Sequence, residues 1–302
     1  MAISRSVKKG WWKVCALLVV LLISAAACSG GQQPVDEGKG GSQSKGKLVF
    51  GVTPWTSTIP PTYVAKHILE DLGYEVKLQD AEVGVVFAGL AKGDVDIFMD
   101  SWLPDMHREF MDQYGEKIDD VAVSYREGVL GWVVPAYSPA NSIAELNQYK
   151  DRFGGKVYGI DAGAGMMKTS KAIIEAYGLD YELVDGSEQA MLTMLEDAYS
   201  NKRDIVILGW RPHWKFAKYD LKFLEDPKGF WKSSEVHVLV HKGLDQKAPE
   251  AYAFLKNWRI PIEDVEDMIL RLELESADPT QLAADWVENN QEKVEAMLKD
   301  VK

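Results

Sequence analysis

Three tryptophans stand beside prolines where apolar runs end: Pro54-Trp55, Trp102-Leu103-Pro104 and Trp210-Arg211-Pro212. The face of an indole ring carries negative potential. Several rings arranged as a box hold a cation that has no hydrogen bonds to donate, at about 0.5–2 kcal/mol per contact. A quaternary ammonium suits such a box, because its diffuse charge is cheap to desolvate and its methyl groups pack on aromatic faces. A plain amine would need a carboxylate as well, and no Asp or Glu adjoins Trp55 or Trp210, although Asp100 and Asp105 flank Trp102.

The segment Gly159-Ile-Asp-Ala-Gly-Ala-Gly-Met-Met-Lys-Thr-Ser170 suits an anion. Gly163 and Gly165 lie between a strand and a helix, where backbone N–H groups can approach negative charge and the helix dipole assists. His107, five residues beyond Trp102, is placed to donate an N–H to the same anion. The glycine segment is also part of a dinucleotide fingerprint, but Lys168 stands where the third glycine is required. His213 and Trp214 read as supporting structure. No histidine pair has zinc-ligand spacing and no G-x-S-x-G elbow occurs, so the sequence offers no catalytic, metal or cofactor site.

The elements that position these residues are written twice. Asp96, Ile97, Trp102 and Pro104 align with Asp204, Ile205, Trp210 and Pro212 at a constant offset of 108 residues. Val49-Phe50-Gly51-Val52 meets Val157-Tyr158-Gly159-Ile160 at the same offset. Each copy reads strand, helix, strand, helix, strand. The first has helices over Tyr63–Leu72 and Val83–Lys92, and the second over Lys168–Tyr177 and Glu188–Ser200, with Gly73, Gly93 and Gly178 as stops. Such alternation predicts mostly parallel sheet flanked by helices. Two valine-rich strands, 128–137 and 234–242, read as crossings between two lobes, and 248–302 reads as helical with Asp278-Pro279 capping its last long helix. The predicted architecture is a hinged α/β clamshell with lobe 1 over 47–136 and 241–302 and lobe 2 over 137–240. Ligands of open α/β sheets lie beyond the carboxyl ends of the strands, which here face one cleft.

The N-terminus reads as an address. Arg5, Lys8, Lys9 and Lys13 precede the uncharged run Val14–Ala27, whose 14 residues rise about 21 Å as a helix, short of the ~30 Å hydrocarbon core. Ala25-Ala26-Ala27-Cys28 then resembles a bacterial lipoprotein signal, with 1–27 removed and Cys28 carrying lipid. Residues 28–46, rich in Gly, Ser and Gln, read as a flexible tether to the membrane surface. Gly41, Gly46 and Lys47 have phosphate-loop spacing, but Leu48 stands where magnesium needs Ser or Thr. Of the two cysteines, Cys15 leaves with the signal, so no internal disulfide forms. Composition agrees with a globular body: 302 residues, 46% hydrophobic, 26% charged, net charge −12. Loss of the four basic signal residues takes the charge to −16. A surface so negative disfavours nucleic acid as a partner.

The segments GVTPWTS, DSWLPDMH, GIDAGAGMM and LGWRPHW resemble those of the glycine betaine-binding lipoproteins of bacterial compatible-solute ABC transporters, over roughly residues 47–245. The resemblance implies a class II periplasmic-binding-protein-like fold and a monomeric, non-enzymatic receptor without cofactors. It would be lipid-anchored outside the cytoplasm and would deliver its ligand to an ABC permease and ATPase. It implies a prism of Trp55, Trp102 and Trp210 around the trimethylammonium group. The carboxylate would rest on the backbone N–H groups of Gly165 and Met166 and on His107. Relatives often carry an acidic residue where this chain has Thr56. That difference leaves glycine betaine, proline betaine, carnitine and choline open as ligands, and a betaine-sensing domain is the alternative to transport.

Overall fold

A computed structural model describes residues 44–301. The expected signal segment, Cys28 and most of the tether lie outside the described residues. Backbone pairing begins at Lys45, whose N–H reaches the carbonyl of Gly73 at 3.0 Å.

The two copies form two sheet regions joined through one long strand. In the first, β1 (Lys47–Val52) pairs in parallel with β2 (Glu75–Asp80) and β3 (Ile97–Leu103). The second region repeats the plan: β5 (Lys156–Tyr158) pairs in parallel with β6 (Glu182–Val184) and β7 (Val206–Arg211). The long strand is β4 (Ile118–Pro135), which belongs to both regions. Its residues from Ile118 to Gly128 pair with β9 (Ser234–His241), and those from Val129 onward pair with β7 and with the short β8 (Leu221–Phe223). β9 also pairs antiparallel with β3. Pairing therefore changes partner after Gly128 on the outward path and from Ser234 on the return, and these two residues pair with each other. The expected lobe limits, 136/137 and 240/241, lie downstream of both points.

The change of sheet has a local cause. Glu127 adopts a positive φ of 66° and the register slips between Tyr125 and Gly128, so β4 bends there. Gly128 is fixed by its neighbour Trp102. A Cβ at this position would lie 2.6 Å from the Trp102 ring, so only glycine lets that indole settle on the bend.

Helices cover the sheets as the duplicated pattern requires. Val83–Lys92 and Glu188–Ser200 have the expected bounds, and Gly93 and Gly178 end their helices in the left-handed conformation. Two helices start earlier than the pattern suggests. Ile59–Asp71 takes Pro60 and Pro61 into its first turn, where a missing N–H costs nothing. Gly165–Tyr177 opens at Gly165, preceded by an extended Ala164 that offers no side-chain cap. The C-terminal segment is helical from Pro249, and helix Pro279–Asn289, capped by Asp278, packs on Ile59–Asp71 beside the first sheet. The expected last long helix is divided at Asn290 into Pro279–Asn289 and Gln291–Leu298; of the expected stripe, Leu282 and Trp286 on the first and Val294 and Met297 on the second are buried, and Leu298 and Val301 are half-buried. Among the described residues no helix is long and apolar enough to cross a membrane.

Candidate functional site

β3 and β7 end at equivalent places, and each hands the chain into a turn through a cis proline, Leu103-Pro104 and Arg211-Pro212. Trp102 and Trp210 are the penultimate residues of these strands. Trp55 follows β1 at the mouth of the helical segment that begins at Thr56. All three indoles line one pocket between the two sheet regions, and each is less than a tenth exposed. The space free of protein atoms, including what opens to solvent, is about 350 Å³. His107, Gly165 and Met166 line the same pocket, whereas Gly163, the other glycine of that segment, is not part of its wall. Ser57, Met106, Leu130, Ile160 and Ala164 complete the wall, and it is mostly apolar.

Hydrogen bonds orient two of the three rings. Trp102 Nε1–H donates to Asp100 Oδ1 at 3.0 Å, and Trp55 Nε1–H donates to Asp161 Oδ2 at 3.0 Å. Asp100 is fully buried and accepts from Ser57 Oγ at 2.9 Å and Thr58 Oγ1 at 2.8 Å as well. Burial pushes its carboxyl up to about 7 against the pull of these three donors, and the charge of Glu188 adds to the rise. Trp210 is placed by packing. His213 meets it edge-on with ring centroids 4.9 Å apart, and Lys215 Nζ lies 3.9 Å from the ring centroid.

The polar end of the pocket is equally specific. His107 is 1% exposed and burial lowers its imidazole to about 3, so it is neutral at ordinary pH. Its Nδ1 accepts the backbone N–H of Trp102 at 3.0 Å. The ring proton must therefore sit on Nε2, which has no hydrogen-bond partner among the described residues while the ring lines the pocket. The ring also stacks on Trp55, 5.9 Å between centroids and tilted 21°. Gly165 and Met166 open their helix, and helix geometry leaves the first N–H groups without an intrahelical acceptor. Across the pocket, a Cβ on Gly165 would lie 2.2 Å from the Met106 carbonyl oxygen, so the two walls touch only because this residue is glycine. The pocket thus has an aromatic part suited to a cation and three N–H groups suited to an anion.

The sequence reading did not find Asp161 as a partner of Trp55, nor the buried Glu188, which accepts from Thr56. Both contacts join residues from opposite sides of the pocket, more than a hundred positions apart, and no local pattern announces them.

Comparison with known proteins gives a consistent set. Residues 46–289 match the OpuAC family, the substrate binding domain of ABC-type glycine betaine transport system. The glycine betaine/carnitine transport binding protein GbuC of Listeria monocytogenes is 42% identical over 142 residues, 46% of this chain and 47% of that one. The match thus spans about half the length of that relative. Among solved structures, lactococcal OpuAC closed on glycine betaine is 32% identical with a TM-score of 0.79, over 83% of this chain and 99% of that one. The glycine/betaine/L-proline-binding protein ProX of Borrelia burgdorferi is 31% identical with a TM-score of 0.80, over 83% and 96%. A choline binding protein of an ABC transporter, in complex with choline, is 25% identical with a TM-score of 0.79, over 84% and 92%.

Proposed function

Because the chain belongs to the OpuAC family of substrate binding domains, we propose that it is the receptor of an ABC importer and that it captures glycine betaine in this pocket. One observation carries the reading. Three indoles and three N–H donors without a partner among the described residues, drawn from both sheet regions, line a single pocket. The indoles take the trimethylammonium head, with Trp55 and Trp102 contributed from one side and Trp210 from the other. The carboxylate rests on the Nε2–H of His107 and on the N–H groups of Gly165 and Met166. A neutral histidine serves this role well, since it donates one directed hydrogen bond and adds no competing cation next to the quaternary ammonium.

Choline, carried by one structural neighbour, has the same head without the carboxylate. It would leave those donors buried and unpaired, so it binds more weakly here. Carnitine, named with glycine betaine for the Listeria relative, and proline betaine carry both groups and are the closest competitors. The basic, then apolar N-terminus ending at Cys28 supports anchoring by lipid outside the cytoplasm. There the body, a monomer, meets a permease and its ATPase.

Titration of the purified protein with glycine betaine, followed by intrinsic tryptophan fluorescence and calorimetry, tests the assignment. Saturable binding in the micromolar range is expected, about −8 kcal/mol, with choline weaker. Absence of a saturable signal up to millimolar betaine would refute it. Palmitate labelling in cells, lost on Cys28→Ala, tests the anchor.

A further inference from the structure

Glu188 opens the helix Glu188–Ser200 beside the second sheet, yet it is only 2% exposed. Its Oε2 accepts the backbone N–H of Thr56 at 3.1 Å, and its Oε1 accepts the Thr56 hydroxyl. Thr56 follows the cage residue Trp55 and comes from the opposite side of the pocket. On its own side, Oε1 lies 3.2 Å from His213 Nε2. His213 is the ring that packs edge-on against Trp210. Lys215, fully buried and with no hydrogen-bond partner for Nζ among the described residues, covers the same indole. One carboxylate therefore touches the neighbour of one cage tryptophan and the support of another.

A carboxylate that served only to balance Lys215 or the helix dipole would have no need to cross the cleft. The contacts to Thr56 can form only when the two sides meet, because in an opened cleft that threonine faces water. Glu188 is also the most deeply buried acid to bridge the sides. The other carboxylates that reach across are less covered: Asp161, which accepts the Trp55 indole N–H, is only partly buried, and Glu109, paired with Lys168, is exposed.

We propose that Glu188 is the latch of this cleft, a positioning residue that engages Thr56 on closure and, through His213, fixes Trp210 in the same event. The latch does not touch the ligand, so it sets how long the closed state lasts rather than which head group is chosen. This rests on the betaine-binding reading above.

Stopped-flow tryptophan fluorescence with glycine betaine and with choline tests it on the wild-type protein, Thr56→Val, Glu188→Gln and the double variant. Each single change is expected to raise the dissociation rate about tenfold while association stays within about twofold, by the same factor for both ligands. The double variant should be little worse than either single one, as two halves of one contact require. Unchanged dissociation in Thr56→Val, or independent multiplying effects in the double variant, would overturn the latch. Should Glu188→Gln fail to fold because Lys215 loses its counter-charge, Thr56→Val on the opposite side decides alone. Wild-type protein that binds neither ligand brings down the functional reading together with the latch. Wild-type binding with unaltered variants removes the latch only.

Discussion

The turn after β3 and the turn after β7 carry the same parts in the same order, a tryptophan, a cis proline and a histidine, but their histidines face different anions. Both rings are buried, and burial keeps both neutral, lowering His107 to about 3 and His213 to about 4. Both use Nδ1 to accept a nearby backbone N–H, from Trp102 at 3.0 Å in one turn and from Lys215 at 3.1 Å in the other. The remaining nitrogen differs. That of His107 is left for the pocket, whereas that of His213 lies 3.2 Å from Glu188. On the proposed reading, the anion is supplied by the ligand in one copy and by the protein in the other. The comparison teaches that a duplicated turn can keep its scaffold while one copy becomes recognition and the other closure.

The largest effect should come from the place where the two sides meet most tightly. Gly165→Ala puts a methyl 2.2 Å from the Met106 carbonyl oxygen, a backbone atom with little freedom to yield. Because this contact joins the two sides of the pocket rather than the core of either, the ligand-free fold should melt as the wild type does. Betaine affinity should fall by roughly 10- to 100-fold, the effect of overpacking by about 1–3 kcal/mol. Calorimetry and a thermal melt separate the two. A loss of folding stability as large as the loss of affinity would show that Gly165 is structural in both states.

Next come the rings. Trp102→Ala and Trp210→Ala should each weaken binding at least tenfold, about 1.4 kcal/mol, although one ring is held by Asp100 and the other by packing alone. Trp258 is the control. It is fully buried among the C-terminal helices with Nε1–H on Ser124 Oγ at 2.7 Å and is not part of the pocket lining. Trp258→Ala should lower Tm and leave the ratio of betaine to choline affinity unchanged. Equal affinity losses from all three would break the assignment of the cage.

The histidines then sharpen the comparison directly. His107→Phe keeps a ring against Trp55 but removes the donor, so betaine affinity should fall about five- to tenfold while choline affinity hardly moves. His213→Phe should lower both affinities by one factor, because that ring supports Trp210 and never meets the carboxylate. A change in ligand preference from the His213 variant would reverse the roles given to the two turns.

Much of this division was legible in the sequence because duplication writes geometry into spacing. The constant offset placed Trp102 and Trp210 at equivalent strand ends, and the pocket contains both together with Trp55, His107, Gly165 and Met166. Helix bounds were legible where glycine stopped them, as at Gly93 and Gly178, and misleading where the starting signal was missing. Ala164 offers no cap to the helix at Gly165, and that lack is what leaves its first N–H groups free for an anion. The supporting carboxylates were not legible. Asp161 and Glu188 act across the cleft on Trp55 and Thr56, and only the closed fold makes them neighbours. Likewise the valine-rich text of β4 reveals a strand but not that it serves two sheets, since the bend lies in the left-handed φ of Glu127 and the register slip before Gly128, and nothing in the local sequence announces either.

The smallest expected effect concerns pH and separates the first copy from the second once more. His107 and His213 stay neutral across pH 5–9 and should leave no trace in that range, whereas Asp100, raised to about 7, titrates within it. A quaternary cation against Trp102 favours the ionised form of the carboxylate behind that ring, so ligand binding releases a fraction of a proton. By reciprocity, affinity rises as pH passes from 6 to 8, by about twofold across one indole. Folding responds with the opposite sign. The folded protein holds this proton more tightly than the unfolded chain does, so the stability Asp100 contributes is greatest at low pH and is lost as pH climbs from the ordinary carboxylate range through about 7. Asp100→Asn keeps the shape and can satisfy every partner, with its carbonyl toward the Trp102 N–H and its amide toward the Ser57 and Thr58 hydroxyls, which turn to accept. Calorimetric titrations of wild type and Asp100→Asn in buffers from pH 6 to 8 should show a sloping affinity in the first and a flat one in the second. A slope that persists in the variant would show that Asp100 is not the group that titrates with binding.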